Sequence, residues 1–284
     1  MGSGQTDIQV SYDVSNEFFQ LWLDEQMNYT CGVFERPSDS LETAQRNKLR
    51  LLCDFARVSP QTSVLDIGCG WGACLAHVAL ERLAARAVGV TLSPAQAQAV
   101  RDRRLANVEC VTHDFMTWET EERFNALVSI CMIDHLCSPE EARLGRAVDL
   151  YRAFFEKCWR LAQPGAWFGL QTILRVRAPR DPGDLKDVYF CTHTIFPGGL
   201  NPRVEDVLQA VGPYWEVMSM HTRREHYAKT TAEWLRRLRL GEPIIRKRWG
   251  DRIFTDYERY LSTCVRAFER HYSSLVQFEL RRID

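Results

Sequence analysis

The chain has 284 residues, of which 45% are hydrophobic and 26% charged, and its net charge is -1. That balance excludes a disordered or fibrous chain, and near-neutrality removes any overall pull toward nucleic acid or an anionic membrane. No apolar run approaches the roughly 18 residues needed to cross a bilayer, and the first residues lack the charged-then-apolar form of a secretory signal.

In chain order, Tyr12-Asp-Val-Ser-Asn-Glu-Phe-Phe-Gln-Leu-Trp-Leu23 comes first. Ser15 has the chemistry of an N-cap, and Phe18, Phe19, Trp22 and Leu23 recur at helical spacing. Asn28 to Phe34 is apolar and hydroxyl-bearing without a clear period. Leu41 to Val58 reads as a helix with Leu41, Leu49, Leu52 and Phe55 on one side. Strands are then predicted near 63–67, 86–91, 108–112, 125–131 and 165–173, with helices at about 73–83, 94–105 and 139–162 between them. That alternation implies parallel order and right-handed crossovers. Pro164-Gly165 reads as a turn before the fifth strand.

From Arg175 to about Leu208 the prolines and glycines predict an irregular lid, with Phe196-Pro-Gly-Gly199 as an anchored turn. A strand at 215–220, helices at 231–240 and 251–272, and a strand at 276–280 complete the chain. The expected organisation is a single domain over 1–284, with capping helices in 9–58 and a lid in 175–210. Ten cysteines are scattered through these elements, and none forms a Cys-x-x-Cys pair. Cys69/Cys74 and Cys131/Cys137 lack zinc-ligand spacing. They read as small buried residues of a reducing cytoplasm, with no disulfide and no metal.

The chemistry concentrates at Val64-Leu-Asp-Ile-Gly-Cys-Gly-Trp-Gly72, a buried strand running into a glycine turn. Gly68, Gly70 and Gly72 let a ligand lie directly on backbone. A dinucleotide site needs an acid about 20 residues beyond such a turn. Here the second strand ends Thr91-Leu-Ser93, whereas the third ends in Asp114, placed for an adenine amino group. That pattern favours S-adenosylmethionine over NAD.

Several further blocks carry a family resemblance: Tyr29-Thr-Cys31, Val90-Thr-Leu-Ser-Pro-Ala-Gln96, Ile195-Phe-Pro-Gly-Gly199, His226-Tyr-Ala-Lys-Thr230 and Tyr260-Leu-Ser-Thr-Cys264. With the glycine turn and the Tyr12–Phe19 block, they make the chain resemble the cyclopropane-fatty-acid and mycolic-acid cyclopropane synthases, S-adenosylmethionine-dependent methyltransferases. The resemblance implies a Rossmann-like, seven-stranded α/β class I methyltransferase fold. It implies cofactor contacts at Tyr29, Thr30, Gly68, Gly70, Gly72, Thr91, Leu92, Gln96, Asp114 and Phe115. Relatives have Trp-Glu where Asp114-Phe115 aligns, so the acid has shifted by one position.

In that family a methyl group passes to an alkene carbon, and a base then deprotonates the new methyl so that a ring closes. The base is bicarbonate held by a Cys segment, a Glu, a His and a Tyr. The matching positions are Cys31, Asp134, Gln171 (with Ile173 two residues on) and Tyr227, so Glu has become Asp134 and His has become Gln171. Aspartate is shorter and glutamine cannot carry charge, which puts bicarbonate in doubt. Asp134 is then the base itself, or the reaction stops at simple N- or C-methylation of a small specialised metabolite. A noncatalytic cofactor- or lipid-binding protein is the remaining class.

Phe18, Trp22, Phe34, Phe196 and Tyr227 are candidates to face a substrate cation. His135 is expected to cap the turn after Asp134, and Cys264 to pack in the core. Ten Lys or Arg against four acids between His221 and Arg252 form a local basic segment. It suits an acidic carrier protein, a phosphorylated substrate or a lipid head group, or it is a solvated helix face. The acceptor is expected to be an apolar acyl or natural-product substrate.

Overall fold

The computed structural model describes residues 14–284. Tyr12, Asp13 and the start of the 9–58 cap region lie outside the described residues. Its centre is a seven-stranded sheet in the order β3-β2-β1-β4-β5-β7-β6. The strands are β1 (Ser63–Ile67), β2 (Arg86–Thr91), β3 (Val108–Thr112), β4 (Phe124–Ile130), β5 (Ala162–Arg175), β6 (Trp215–Thr222) and β7 (Ser273–Arg282). The first five run parallel, and β7 lies antiparallel between β5 and β6. Strand order reverses at β1, so a crevice opens beyond the carboxyl ends of β1 and β4, the position such sheets give to ligands.

Helices α1 (Asn16–Gln20), α2 (Leu41–Phe55), α3 (Ala73–Leu80) and α4 (Pro94–Asp102) precede or cross the first half of the sheet. Ser15, Ser40 and Ser93 cap α1, α2 and α4, each accepting a backbone N–H of the first turn. The run expected as one helix over 139–162 is two, α5 (Pro139–Arg143) and α6 (Ala147–Leu161). Gly145 separates them at φ 74, and Arg146 N closes on Glu141 O in the glycine-terminated manner. Pro164-Gly165 does not precede β5 but forms a bulge inside it: Ala162 still pairs with Phe124 before the register shifts.

The segment expected to be irregular is mostly helical. Asp181 caps α7 (Pro182–Phe190), a wider helical turn follows at Cys191–Ile195, and α8 spans Val204–Val211. Pro182 sits at the first helical position, where its missing N–H costs nothing, so the proline that suggested irregularity starts a helix. Helix α9 begins at Arg224 and runs to Leu240, α10 (Glu242–Trp249) was not foreseen, and α11 is Asp251–Glu269. Trp22 and Trp234, both fully buried, join the turn after α1 to α9, their rings 6.0 Å apart. No helix among the described residues is long and apolar enough to cross a membrane.

Candidate active site

A cavity of about 910 Å³ runs from the carboxyl ends of β1 and β2 to the space under α7, bounded by α9 and α11. Its first half is the glycine turn. Gly68 and Cys69 both donate to Val90 O, folding the chain back over β2. Gly68, Gly70 and Gly72 all have positive φ. A Cβ on Gly70 would meet nothing within 4 Å, so this backbone faces open space. A Cβ on Gly72 would lie 2.7 Å from Val100 Cγ2, and Gly72 does not line the cavity. Its glycine permits α3 to pack on α4, and it is Gly70 that presents bare backbone to a ligand.

Tyr29, Thr30, Thr91, Leu92, Gln96, Asp114 and Phe115 line the same half. Thr91 donates to Gln96 Oε1 at 2.8 Å and fixes that amide. Asp114 Oδ1 accepts from Met116 N at 2.8 Å, which holds the carboxylate at the cavity edge. Of the ten anticipated contacts the structure therefore gathers nine, Gly72 standing behind. Two buried ionisable residues here were not anticipated, Lys48 and Asp66. Asp66 falls inside the glycine motif and Lys48 interrupts the apolar side of α2, which were the available signals. Burial raises the Asp66 carboxyl to about 7 and lowers Lys48.

The second half is apolar and aromatic: Tyr227 from α9, Tyr260 and Phe268 from α11, Phe196 after the wider turn, and Ile173 on β5. Tyr227 stacks on Phe268 with centroids 4.4 Å apart. Phe18 and Trp22 are packed into the core and Phe34 stacks on His226, so none of these three faces the cavity, contrary to expectation. Asp134 follows β4 in a tight helical turn, Ile133–His135. Its carboxylate accepts from the Thr172 hydroxyl and from Ile173 N at 3.5 Å, and burial raises it to about 7.

Asp134, Ile173 and Tyr227 share the cavity wall, whereas Cys31 and Gln171 lie behind it. Gln171 pairs across the sheet with Gln277, whose Nε2 donates to Gln171 Oε1 at 2.8 Å, and Arg223 Nε donates to Gln277 Oε1 at 3.1 Å. The Cys31 thiol donates to Gly32 O. Of the four positions aligned with a bicarbonate site, Asp134 and Tyr227 thus line the cavity, whereas the Cys31 and Gln171 side chains are engaged behind it. His135 lines the cavity instead of merely capping its turn, 6.4 Å from the Phe196 ring, and burial lowers it to about 4, so it is a neutral imidazole. Cys264 also borders the cavity, beside its core contacts; burial pushes its thiol up, which removes nucleophilic character at neutral pH. All ten cysteines are free thiols.

The basic segment is largely neutralised from within: Arg236 and Arg237 pair with Glu233, Arg239 with Glu258, Arg246 with Glu242 and Asp251, and Arg252 with Asp256.

The cavity fits a ligand lying on bare backbone, with a buried, unpartnered acceptor at Asp66 Oδ2 waiting for a donor. Sheet order, glycine turn and flanking chamber together define a class I S-adenosylmethionine-dependent methyltransferase. Residues 3–278 match the family described as mycolic acid cyclopropane synthetase. Cyclopropane mycolic acid synthase 2 of Mycobacterium leprae is 30% identical over 289 residues, which take in 96% of this chain and 92% of that one. Among solved structures, the cyclopropane synthase MmaA2 from Mycobacterium tuberculosis superposes with a TM-score of 0.90 at 26% identity, covering 100% of this chain and 99% of that chain. Mycolic acid cyclopropane synthase CmaA1 complexed with SAH and CTAB gives 0.89, also at 26% identity, over 100% of this chain and 99% of that chain. The chain belongs to the mycolic acid cyclopropane synthetase family.

Proposed function

We propose that this methyltransferase delivers a methyl carbon to the alkene of an apolar acyl-type substrate, giving a cyclopropane or a methyl-branched alkene. The observation that carries the reading is a cavity continuous from the glycine turn to an aromatic chamber holding a buried carboxyl. S-adenosylmethionine, when bound, supplies a methyl group on a positively charged sulfur. The residues proposed to hold it are Tyr29, Thr30, Gly68, Gly70, Thr91, Leu92, Gln96, Asp114 and Phe115, with Gly72 supporting the turn.

The alkene carbon forms the new C–CH3 bond, the S–CH3 pair stays on sulfur, and the neighbouring substrate carbon becomes cationic. Tyr227, Tyr260, Phe268 and Phe196 offer ring faces to that cation, each worth about 0.5–2 kcal/mol. Asp134 takes a proton from the new methyl, and the released C–H pair closes the ring; loss of the proton from the methyl-bearing carbon instead gives a methyl-branched alkene. Thr172 holds the Asp134 carboxylate in place, so no step is routed through bicarbonate. Residues 175–210 act as a lid that excludes water, which would otherwise capture the cation.

A second reading, simple N- or C-methylation of a small metabolite, is favoured by Gln171 and Cys31 facing away from the chamber. The test presents purified protein and S-adenosylmethionine with vesicles of a cis-unsaturated phospholipid, the free unsaturated fatty acid and its saturated counterpart. Release of SAH (S-adenosylhomocysteine) with a lipid gain of one CH2, from unsaturated acceptors alone, supports the proposal. Turnover only with amine acceptors replaces it by the second reading. An acidic carrier is tested in the same assay, because its binding would fall with salt.

A further inference from the structure

Cys69 belongs to the glycine turn after β1, and Cys110 to the middle of β3; β2 lies between those strands in the sheet. Their sulfurs nevertheless stand 3.8 Å apart. Gly89 makes the meeting possible. It pairs with Cys110 in the parallel ladder of β2 and β3, so the Cys110 side chain leaves the sheet on the side where Gly89 has none. A Cβ on Gly89 would lie 2.8 Å from Cys69 Sγ and 2.9 Å from Cys69 Cβ, so the missing side chain is the space that the Cys69 thiol takes.

The two thiols are differently placed. Cys69 is buried but lines the cavity, between the Gly68 and Gly70 proposed to hold the donor. Cys110 is half-buried on β3, the edge strand on that side of the sheet. The contact with Cys69 holds the Cys110 thiol below its ordinary value, helped by the Arg101 guanidinium and opposed by burial. The same contact and burial push the Cys69 thiol up. Cys110 is therefore the nucleophile of the pair, and Cys69 the thiol that resolves it.

We propose that Cys69 and Cys110 are a reversible modification site, a dithiol that a low-molecular-weight disulfide oxidises so that the donor site distorts. The Cys110 thiolate attacks one sulfur of the oxidant and expels its other half as a thiolate. Cys69 gives its proton to solvent, attacks the Cys110 sulfur of the mixed disulfide and expels the second half. One protein S–S bond forms, the oxidant's S–S bond is lost, and its two halves leave as thiols. Bonding brings the sulfurs from 3.8 Å to about 2.05 Å. Residues 108–112 of β3 are paired along β2, whereas Cys69 is tied to β2 through its N–H to Val90 O, so it is the turn that moves. A turn displaced by about 1 Å no longer fits the donor with its Gly70 backbone. The switch rests on the assignment of S-adenosylmethionine as donor and is independent of the acceptor.

To test it, the protein is equilibrated in glutathione buffers of rising disulfide content, mapped by peptide mass spectrometry and titrated with SAH by calorimetry. The expected result is a loss of two hydrogens confined to Cys69 and Cys110, with SAH weakened on the order of 10- to 100-fold. Dithiothreitol restores the affinity. By linkage, saturating SAH moves the oxidation midpoint toward more oxidising buffer by the same factor. Cys110→Ala binds SAH like reduced wild type and keeps that affinity in oxidising buffer. Cys69→Ala stops at a glutathione adduct on Cys110. A bond mapped to other cysteines, such as the buried Cys53 and Cys74, would overturn the proposal. So would an oxidised Cys69–Cys110 pair with unchanged SAH affinity, or a Cys110→Ala variant that weakens on oxidation as wild type does. If the reduced protein bound no SAH, the donor assignment itself would fall.

Discussion

Replacing Asp134 by asparagine tests the buried carboxyl that shares the cavity wall with Ile173 and Tyr227. An ordinary aspartate titrates near 3.9. Burial holds Asp134 at about 7, against the opposing pull of the Thr172 hydroxyl and Ile173 N–H. That gap corresponds to roughly 4 kcal/mol, an upper figure for the free energy the fold stores in keeping the group protonated. The sign for stability follows from proton counting: between pH 4 and 7 the folded chain binds the extra proton, so stability falls as pH rises through that window. The substituted amide carries no charge and still accepts from Thr172, so the variant should gain on wild type progressively from pH 4 to pH 8 in urea unfolding. Catalysis runs the other way. A base must be ionised, so wild-type kcat should fall about tenfold per pH unit below 7. Asp134→Asn should lose that limb together with roughly 100- to 10,000-fold in rate, the usual worth of a general base. SAH release measured from pH 5.5 to 8.5 reads both. A variant that kept the wild-type rate and acid limb would remove Asp134 from the chemistry.

The two glycines of the turn should separate fold from binding. Gly72→Ala pushes a Cβ to within 2.7 Å of Val100 Cγ2 at positive φ, so it should destabilise by about 1–3 kcal/mol, with Val100→Ala restoring part of the unfolding midpoint. Gly70→Ala meets no protein atom and should cost only about 1 kcal/mol of backbone strain, while calorimetry shows SAH affinity falling steeply. Asp184 accepts from Arg266, Arg270 and Tyr272 and ties α7 to α11 and the turn that follows it, so Asp184→Ala should speed amide hydrogen exchange across 182–195 and raise KM before it lowers stability elsewhere. Because the basic segment is paired internally, KM for a neutral unsaturated lipid should change less than about threefold between 50 and 500 mM salt; a steep slope would reinstate an anionic partner.

What was legible in the sequence was whatever local chemistry controls. The strands came out within a few residues because β1 to β5 are apolar runs between turn signals, and the glycine turn came out because positive φ and close approach select glycine. Lys48 could not be read that way. Its spacing from Leu41 and Leu52 shows a lysine on the apolar side of α2, but not what receives it: only the fold of 24–30 over α2 brings Asn28 and Thr30 to its ammonium. Gln171 fails for the converse reason. Alternation along β5 puts it on the same side as Ile173, but its amide is taken by Gln277 on an antiparallel neighbour 106 residues away. The helix over 182–190 reads as irregular chain because Pro182 marks a helix start as readily as a loop, and the difference lies in Asp181 capping it.

These placements bear on the base in the proposed reaction. A chamber that generates a carbocation must hold a base without holding a permanent charge, since a fixed carboxylate there would be costly before substrate enters. Asp134 meets both demands: its burial keeps it largely neutral below pH 7, and the developing cation beside it favours ionisation when a base is required. His135, held neutral near the Phe196 ring, adds no positive charge to compete with that cation. On the proposed function, the polar ladder Gln171–Gln277–Arg223 serves the floor of the site and not its chemistry. Gln171→Met should therefore shift the unfolding midpoint, through the amides left unpaired, by more than it shifts kcat. A Gln171→Met variant with native stability but abolished turnover would return Gln171 to the reaction.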